Sequence, residues 1–413
     1  MRVLVVGAGG VGSAFVTIAS RRTVFEHITV ADVSLGRAAF AASTATDNPR
    51  GERVVACQLD ASSADRVAEL ARAQRADIVL NACDPRLNPP VFDGALLAGC
   101  DYVDMAMHVS EPHPERPFTD VGVMLGETQL AAGSQWEERG RLALVGMGVE
   151  PGFSDVAARY ASDNLFSRID EIGVRDGADL VVEGYDFAPT FSIWTTIEEC
   201  LNPSIVYERE RGWFTTEPFS EPERFTFPEG IGSLGCVNVE HEEVVLMPRW
   251  LDVGRVTFKY GLGHEFIAVL RTLHKLGLDN KHPIEVRGVS ISPRDVVAAA
   301  LPNPADLGDD MKGRTCAGTW VAGLDTEGRR REIYLYHIVD NAWSMREYGH
   351  QAVVWQTAVM PAVALELIAT GAWSGAGVLG PEALPAEPFL DLLDQQGVEW
   401  EWDDYWDRAP TGV

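Results

Sequence analysis

Gly7, Gly9 and Gly12 stand in the spacing G-x-G-x-x-G, directly behind an apolar run at residues 3–6 and ahead of a segment, 11–21, in which Val11, Phe15 and Ile18 share one helical face. That strand–turn–helix context suits pyrophosphate binding. Gly7 permits the tight turn, Gly9 lets the backbone approach a phosphate, Gly12 lets helix and strand pack closely, and Gly10 and Val11 open the helix whose N-terminus would carry the anion. Asp32 ends a second apolar run, 28–31, and lies 20 residues beyond Gly12, where a carboxylate takes the ribose hydroxyls of a dinucleotide. Such a carboxylate repels a 2′-phosphate and favours NAD, while Arg37 could reach round to that phosphate and keeps NADP open. Further along are groups able to carry a proton: Asp104, His108 and Glu150 first, then His337 and Lys259. Glu198 and Glu199 follow the aromatic residues Phe191 and Trp194, and are placed either to hold a cationic amine or to face solvent.

The elements that must position these groups alternate. Strands are expected at 3–6, 28–31, 54–59, 78–81 and 102–106, with helices at 11–21, 63–75 and 90–99, which fits a Rossmann-type doubly wound parallel sheet. Ligands bind beyond the carboxyl ends of such strands. That rule sets Asp60 toward adenine, Asn81 and Ala82 toward nicotinamide, and Asp104 and His108 beside them. After a helix at 127–139 and a strand at 142–145, a second glycine-rich elbow at 146–152 lacks the third spaced glycine. It reads as a crossover that places Glu150 at the mouth of the cleft, with Ser154 capping the next helix and Asp155 in its first turn.

From 169 to 261 short strands predominate, at 172–175, 230–239, 243–247 and 256–259; a helix at 264–278, a polar mobile loop at 302–314 and two strands around a turn at 325–328 follow. A mixed sheet with helices is the expected second domain. The apolar stretch 352–371 carries Pro361, which should kink or divide it, and Trp400, Trp402, Tyr405 and Trp406 suggest a packed tail. The expected division is a dinucleotide-binding domain of residues 1–125 and 345–413, with an α+β substrate-binding and dimerisation domain at 126–344.

Composition narrows the partners. Lys and Arg number 34 against 61 Asp and Glu, a net charge of −27 that disfavours nucleic acid and anionic membrane. Six widely spaced cysteines offer neither C-x-x-C nor a zinc-ligand ladder, so no metal and a reducing, cytoplasmic location are expected. The early glycines break what could otherwise pass for a signal-peptide core.

The N-terminal M-R-V-L-V-V-G-A-G-G-V-G, the elbow G-V-E-P-G at 148–152, F-P-E-G-I-G at 227–232, and Y-H-I-V-D at 336–340 followed by a helix ending in Thr370 and Gly371 together resemble the saccharopine dehydrogenase-like family. That family includes saccharopine reductase, carboxynorspermidine dehydrogenase and lysine 6-dehydrogenase. The resemblance implies a Rossmann domain completed by C-terminal segments, an inserted domain that binds an amino acid or polyamine-type substrate and forms a homodimer, and NAD(P)-linked chemistry at a carbon–nitrogen bond. Asp104, His108 or Glu150 would then manage the proton on nitrogen. Lysine 6-dehydrogenase-like amino acid oxidation, carbonyl reduction and a non-catalytic dinucleotide sensor are the alternatives.

Overall fold

The computed structural model describes residues 1–45 and 54–405. Six strands, β1 (Arg2–Val6), β2 (His27–Asp32), β3 (Val54–Gln58), β4 (Ile78–Asn81), β5 (Asp101–Asp104) and β6 (Leu142–Leu144), form a parallel sheet with the strand Gly377–Leu379 at its far edge. The order β3-β2-β1-β4-β5-β6 is that of a dinucleotide-binding fold, and its direction reverses between β1 and β4, where a crevice must open. β1 and β4 are nearly sealed from water on both faces, which accounts for their unbroken apolar runs. Helix α1 (Gly10–Ser20) follows β1, and the long helix Ala352–Thr370 lies along it.

Two glycines make the turn between β1 and α1 possible. Gly7 has φ +104°, and a Cβ there would lie 2.5 Å from the Ala82 carbonyl oxygen. A Cβ on Gly12 would fall within clashing distance of the Gly7 carbonyl oxygen. The two residues therefore set how closely α1 approaches the ends of β1 and β4.

The second sheet is mixed. Its central strand, β7 (Phe166–Ala178), runs parallel to Val253–Gly261 and antiparallel to Arg314–Asp325. The latter forms a long hairpin with Arg330–Asp340, against whose outer edge Glu401–Asp404 pairs. The helix Phe153–Asn164 packs on β7 and Arg314–Asp325 and carries the chain from one sheet to the other.

Several expectations are corrected. The helices Glu127–Ala131 and Gly133–Glu138 and strand β6 belong with the first sheet, so the chain passes between the sheets at the elbow 146–152 read as the crossover, and the division drawn at 125/126 comes too early. The C-terminal part is shared: Ala352–Thr370 and Gly377–Leu379 complete the first layer, whereas Glu401–Asp404 joins the second sheet. Residues 243–247 begin a helix, Glu243–Trp250, because a short apolar run has no period that separates a buried helix from a strand. Pro361 does not divide Ala352–Thr370, and the 302–314 loop contains two short 3-10 turns, Pro304–Asp306 and Gly308–Asp310. Ala352–Thr370 is long and apolar enough to cross a membrane, but it is packed mostly inside the protein. In the tail Trp400 packs edge-on against Tyr160 and Tyr405 is buried, as expected of a packed tail, but Trp402 is exposed, and Trp406 lies outside the described residues.

Replacing Gly12 with Ala should destabilise the protein by about 2 kcal/mol or more through overpacking. Gly9→Ala, whose Cβ would meet no atom, should shift Tm by no more than roughly 2 °C. Calorimetric scans of both variants check the contrast, and equal Tm values would contradict this account of the turn.

Candidate active site

The turn after β1 is built to receive an anion. The first helical amides, at Gly10, Val11 and Gly12, lie at the open end of α1, and Gly9 faces space that a Cβ would occupy. Ala82 and Cys83 form the opposite lip. Asn81 fixes that lip: its Nδ2 donates to Asn88 Oδ1 and to the Tyr102 hydroxyl, and its Oδ1 accepts the Cys83 amide. At the other end of the crevice a groove of about 620 Å³ is lined by Val33, Asp60 and Arg66 among others, which suits an adenine. Asp60 is exposed there and accepts from the Ser62 amide and hydroxyl.

Asp32 is tied to the turn. Its Oδ2 accepts the Ala8 amide, while its Oδ1 accepts the Ser34 amide and the Arg37 guanidinium at 2.8 Å. Burial would raise its pKa, but the two amides and Arg37 outweigh burial and hold the carboxyl below its ordinary range. The residue stays ionised with its charge largely answered by the protein.

From this crevice a cleft of about 560 Å³ runs between the two sheets. Its dinucleotide end touches Gly9, Asn81, Ala82 and Met105; its far end is lined by Glu150, Asp176, Glu199, His241, Glu242 and Tyr260. Among the described residues no Lys or Arg lines it. Glu150 accepts the Gly318 amide at 3.0 Å and shares a hydrogen bond with Asp176; burial, and then each carboxyl's acidic neighbours, keep the Glu150 pKa high. Burial pushes the Glu199 carboxyl up to about 8, and its Oε2 lies 3.1 Å from the Tyr260 hydroxyl. His241 is stacked on Phe258, with ring centres 3.8 Å apart, and bonds Glu243 through Nδ1 and Tyr260 through Nε2.

The residues expected to move protons divide sharply. Glu150 lines the cleft. Asp104 is 1% exposed and does not: it accepts from the Gly146 amide, Gln129 Nε2 and the Tyr102 hydroxyl, and burial pushes its pKa up to about 7. It braces the ends of β5 and β6 from within. His108 lies outside the cleft lining, with Nδ1 on the Pro85 carbonyl. Lys259 pairs with Glu223 at 2.6 Å, and His337 is buried against the Glu399 carbonyl with its pKa pushed down to about 4. Glu198 and Glu199 are separated by the turn of their helix, Ile193–Leu201: Glu198 is neutralised by Arg294 and Lys281 on the far side, and Glu199 faces the cleft.

Sequence reasoning missed Asp176, His241, Glu242 and Tyr260. A signal existed for two of them, since residues 240–243, E-H-E-E, interrupt two apolar runs as no solvated loop would require. Asp176 and Tyr260 lie on adjacent strands in register with one another, a neighbourhood that only strand pairing reveals.

A dinucleotide crevice opening onto an acidic cleft between two sheets is the arrangement of a nicotinamide-dependent oxidoreductase. Residues 3–144 match the saccharopine dehydrogenase NADP binding domain, and residues 148–398 match the saccharopine dehydrogenase C-terminal domain. The chain belongs to the saccharopine dehydrogenase family, and it is an NAD(P)-dependent dehydrogenase of the kind that acts at a carbon–nitrogen bond. It is 27% identical over 409 residues to carboxynorspermidine synthase of Vibrio alginolyticus, covering 97% of this chain and 96% of that protein. It is 28% identical over 401 residues to carboxyaminopropylagmatine dehydrogenase of a Synechocystis species, with the same coverage of each. The fold is similar to that of saccharopine dehydrogenase (L-Glu forming) from Saccharomyces cerevisiae, with TM-score 0.69 and 13% identity over 98% of this chain and 99% of that one.

Gly9→Val should fold normally yet bind NADPH and NADH at least about tenfold more weakly, because its side chain would fill the space left for pyrophosphate. Asp104→Asn should do the reverse, losing about 1–3 kcal/mol of stability as one of three donors loses its acceptor, with dinucleotide affinity retained. Fluorescence titration and thermal scans of the pair separate the roles; dinucleotide binding lost only in Asp104→Asn would reverse the assignment.

Proposed function

We propose that the protein joins a cationic, polyamine-type primary amine to a carbonyl compound and reduces the resulting imine to a secondary amine, or runs that reaction backwards. The observation that carries this reading is the far half of the cleft, where Glu150, Asp176, Glu199 and Glu242 gather with no lining Lys or Arg among the described residues. An amino acid substrate alone would leave its own carboxylate facing these acids, which weighs against simple amino acid oxidation. The two relatives, both named for carboxylated polyamine products or substrates, agree with it.

In this reading the bound nicotinamide supplies the hydride that the imine carbon receives. The protein orients the amine and manages its protons. Glu150 and Asp176 hold one proton between them, since two adjacent carboxyls out of water resist a second charge. The pair accepts a proton from the substrate ammonium, freeing the nitrogen lone pair to attack the carbonyl carbon. It returns that proton to the carbinolamine oxygen, which leaves as water when the C=N bond forms. No net proton is consumed before reduction, and the product amine then takes one from solvent.

The Asp32–Arg37 pair bears on the choice of dinucleotide. Asp32 was expected to favour NAD, yet its charge is partly cancelled by a guanidinium whose side chain is 60% exposed and free to turn outward. The matched family domain is one that binds NADP. We take Arg37 as the partner of a 2′-phosphate, so the site accepts NADP as well as NAD. The same reading makes the protein a cytoplasmic homodimer, as the family resemblance implies; sedimentation as a monomer at working concentration would overturn that part.

Glu150→Gln should lower kcat by about 10² to 10⁴ while leaving NADPH affinity near wild type. If kcat holds and only KM rises, Glu150 merely orients the amine. Arg37→Ala should weaken NADPH by about tenfold, the effect of losing one charge-assisted contact, with little change in NADH affinity; equal loss of both would remove Arg37 from the phosphate site.

A further inference from the structure

His241 has no part in the proton steps just described, yet it sits in the middle of an unbroken hydrogen-bonded chain. Glu199 Oε2 is 3.1 Å from the Tyr260 hydroxyl, which is 3.1 Å from His241 Nε2, and His241 Nδ1 is 2.5 Å from Glu243 Oε2. One end lies on the cleft wall and the other is completely buried. We propose that Tyr260 and His241 are positioning residues that relay protons between Glu199 and Glu243, so that negative charge can move onto the cleft wall when a cationic amine binds there. The proposal rests on the amine reading above and deepens it.

The chain has two arrangements with the same number of protons. In the first, Glu199 is protonated and donates to the Tyr260 oxygen, Tyr260 donates to Nε2, and Nδ1–H donates to ionised Glu243. If each of the three protons hops along its own hydrogen bond toward Glu243, Glu199 becomes ionised, Tyr260 donates to it, Nε2–H donates to Tyr260, and Glu243 donates to Nδ1. Every link is satisfied in both arrangements, and the imidazole changes only its tautomer. The negative charge has moved from the interior to the cleft without a proton entering or leaving the protein.

The interior end can hold the charge while the cleft is empty. Ser154 donates to Glu243 Oε1 at 2.8 Å, and Glu243 occupies the first turn of the helix Glu243–Trp250, where the aligned amides favour an anion. Burial raises the pKa of both terminal carboxyls. The ring itself is faced by Asp176, Glu199, Glu242, Glu243 and Tyr260 and, among the described residues, by no cation, while Phe258 covers one face. Beyond Glu243 lie Asp155 and Glu382, with Arg249 beside Glu382. A positive charge beside Glu199 draws the negative charge outward, and its departure lets it return.

The test is calorimetric titration of the NADP-loaded protein with putrescine near neutral pH, in two buffers of different ionisation enthalpy, which counts the protons exchanged on binding. Tyr260→Phe and Glu243→Gln each cut the chain, so Glu199 can then ionise only by releasing its proton to solvent. Each variant should release more protons than wild type, by up to about one per putrescine bound, and the double variant no more than either single one. Should Tyr260→Phe fail to fold, Glu243→Gln carries the same comparison. Equal proton counts in wild type and in folded variants would overturn the relay, as would additive effects. Failure of wild type to bind putrescine would overturn the amine reading itself, and the relay with it.

Discussion

A carboxylate withdrawn from water must keep its proton, find a cation, or raise the energy of the fold. This protein answers that constraint in two ways. Away from the cleft some buried acids are matched by cations: Glu223 lies between Arg175 and Lys259, at 2.5 and 2.6 Å, and Glu198 lies between Arg294 and Lys281, while others, such as Asp104, are held by neutral donors. In the cleft the match is missing. Among the described residues, Glu150, Asp176, Glu199 and Glu242 meet one another, His241, Tyr260 and a few backbone amides, and no Lys or Arg lines the cleft beside them. Because these acids line a cavity and not the interior, what the protein omits there a cationic ligand can supply.

The two sheets exist in the form they do because that cleft must meet a dinucleotide. The parallel sheet opens its crevice between β1 and β4, where Gly7, Gly9 and Gly12 bring backbone amides to the surface. The mixed sheet delivers Asp176 and Tyr260 from paired strands, and Gly318 from the next strand over fixes Glu150. Asp104 and Asn81, at the ends of adjacent strands, brace the lip between the layers, both reaching the Tyr102 hydroxyl. Their interior roles explain why a strand-end position alone does not identify a reacting group.

Much of the first domain could be read from the chain. The glycine spacing, Asp32 and the apolar runs of β1, β2 and β4 carry local signals whose causes act within a few residues, and the structure places them as those signals suggest. Asn81 and Ala82 line the dinucleotide end of the cleft. Beyond those local signals, distant parts of the chain decide the structure. Residues 243–247 are apolar without a period, and tertiary packing made them a helix. Asp104, His337 and Lys259 have the right side chains for catalysis, but each is spent on interior partners that come from elsewhere in the sequence. Asp176, His241 and Tyr260 become a site only through strand register and stacking over Phe258. Glu150 was legible because the glycine-rich elbow announces a crossover.

The most direct test of the central claim compares two ligands of equal length and different charge. Calorimetric titration of the NADP-loaded protein with putrescine and with butanediol asks whether the unmatched acids recognise a cation. With the acids unmatched, the diamine should bind more tightly by on the order of a hundredfold or more, the scale of a buried charge that gains or lacks its partner. Equal affinities, or a preference for the diol, would contradict it.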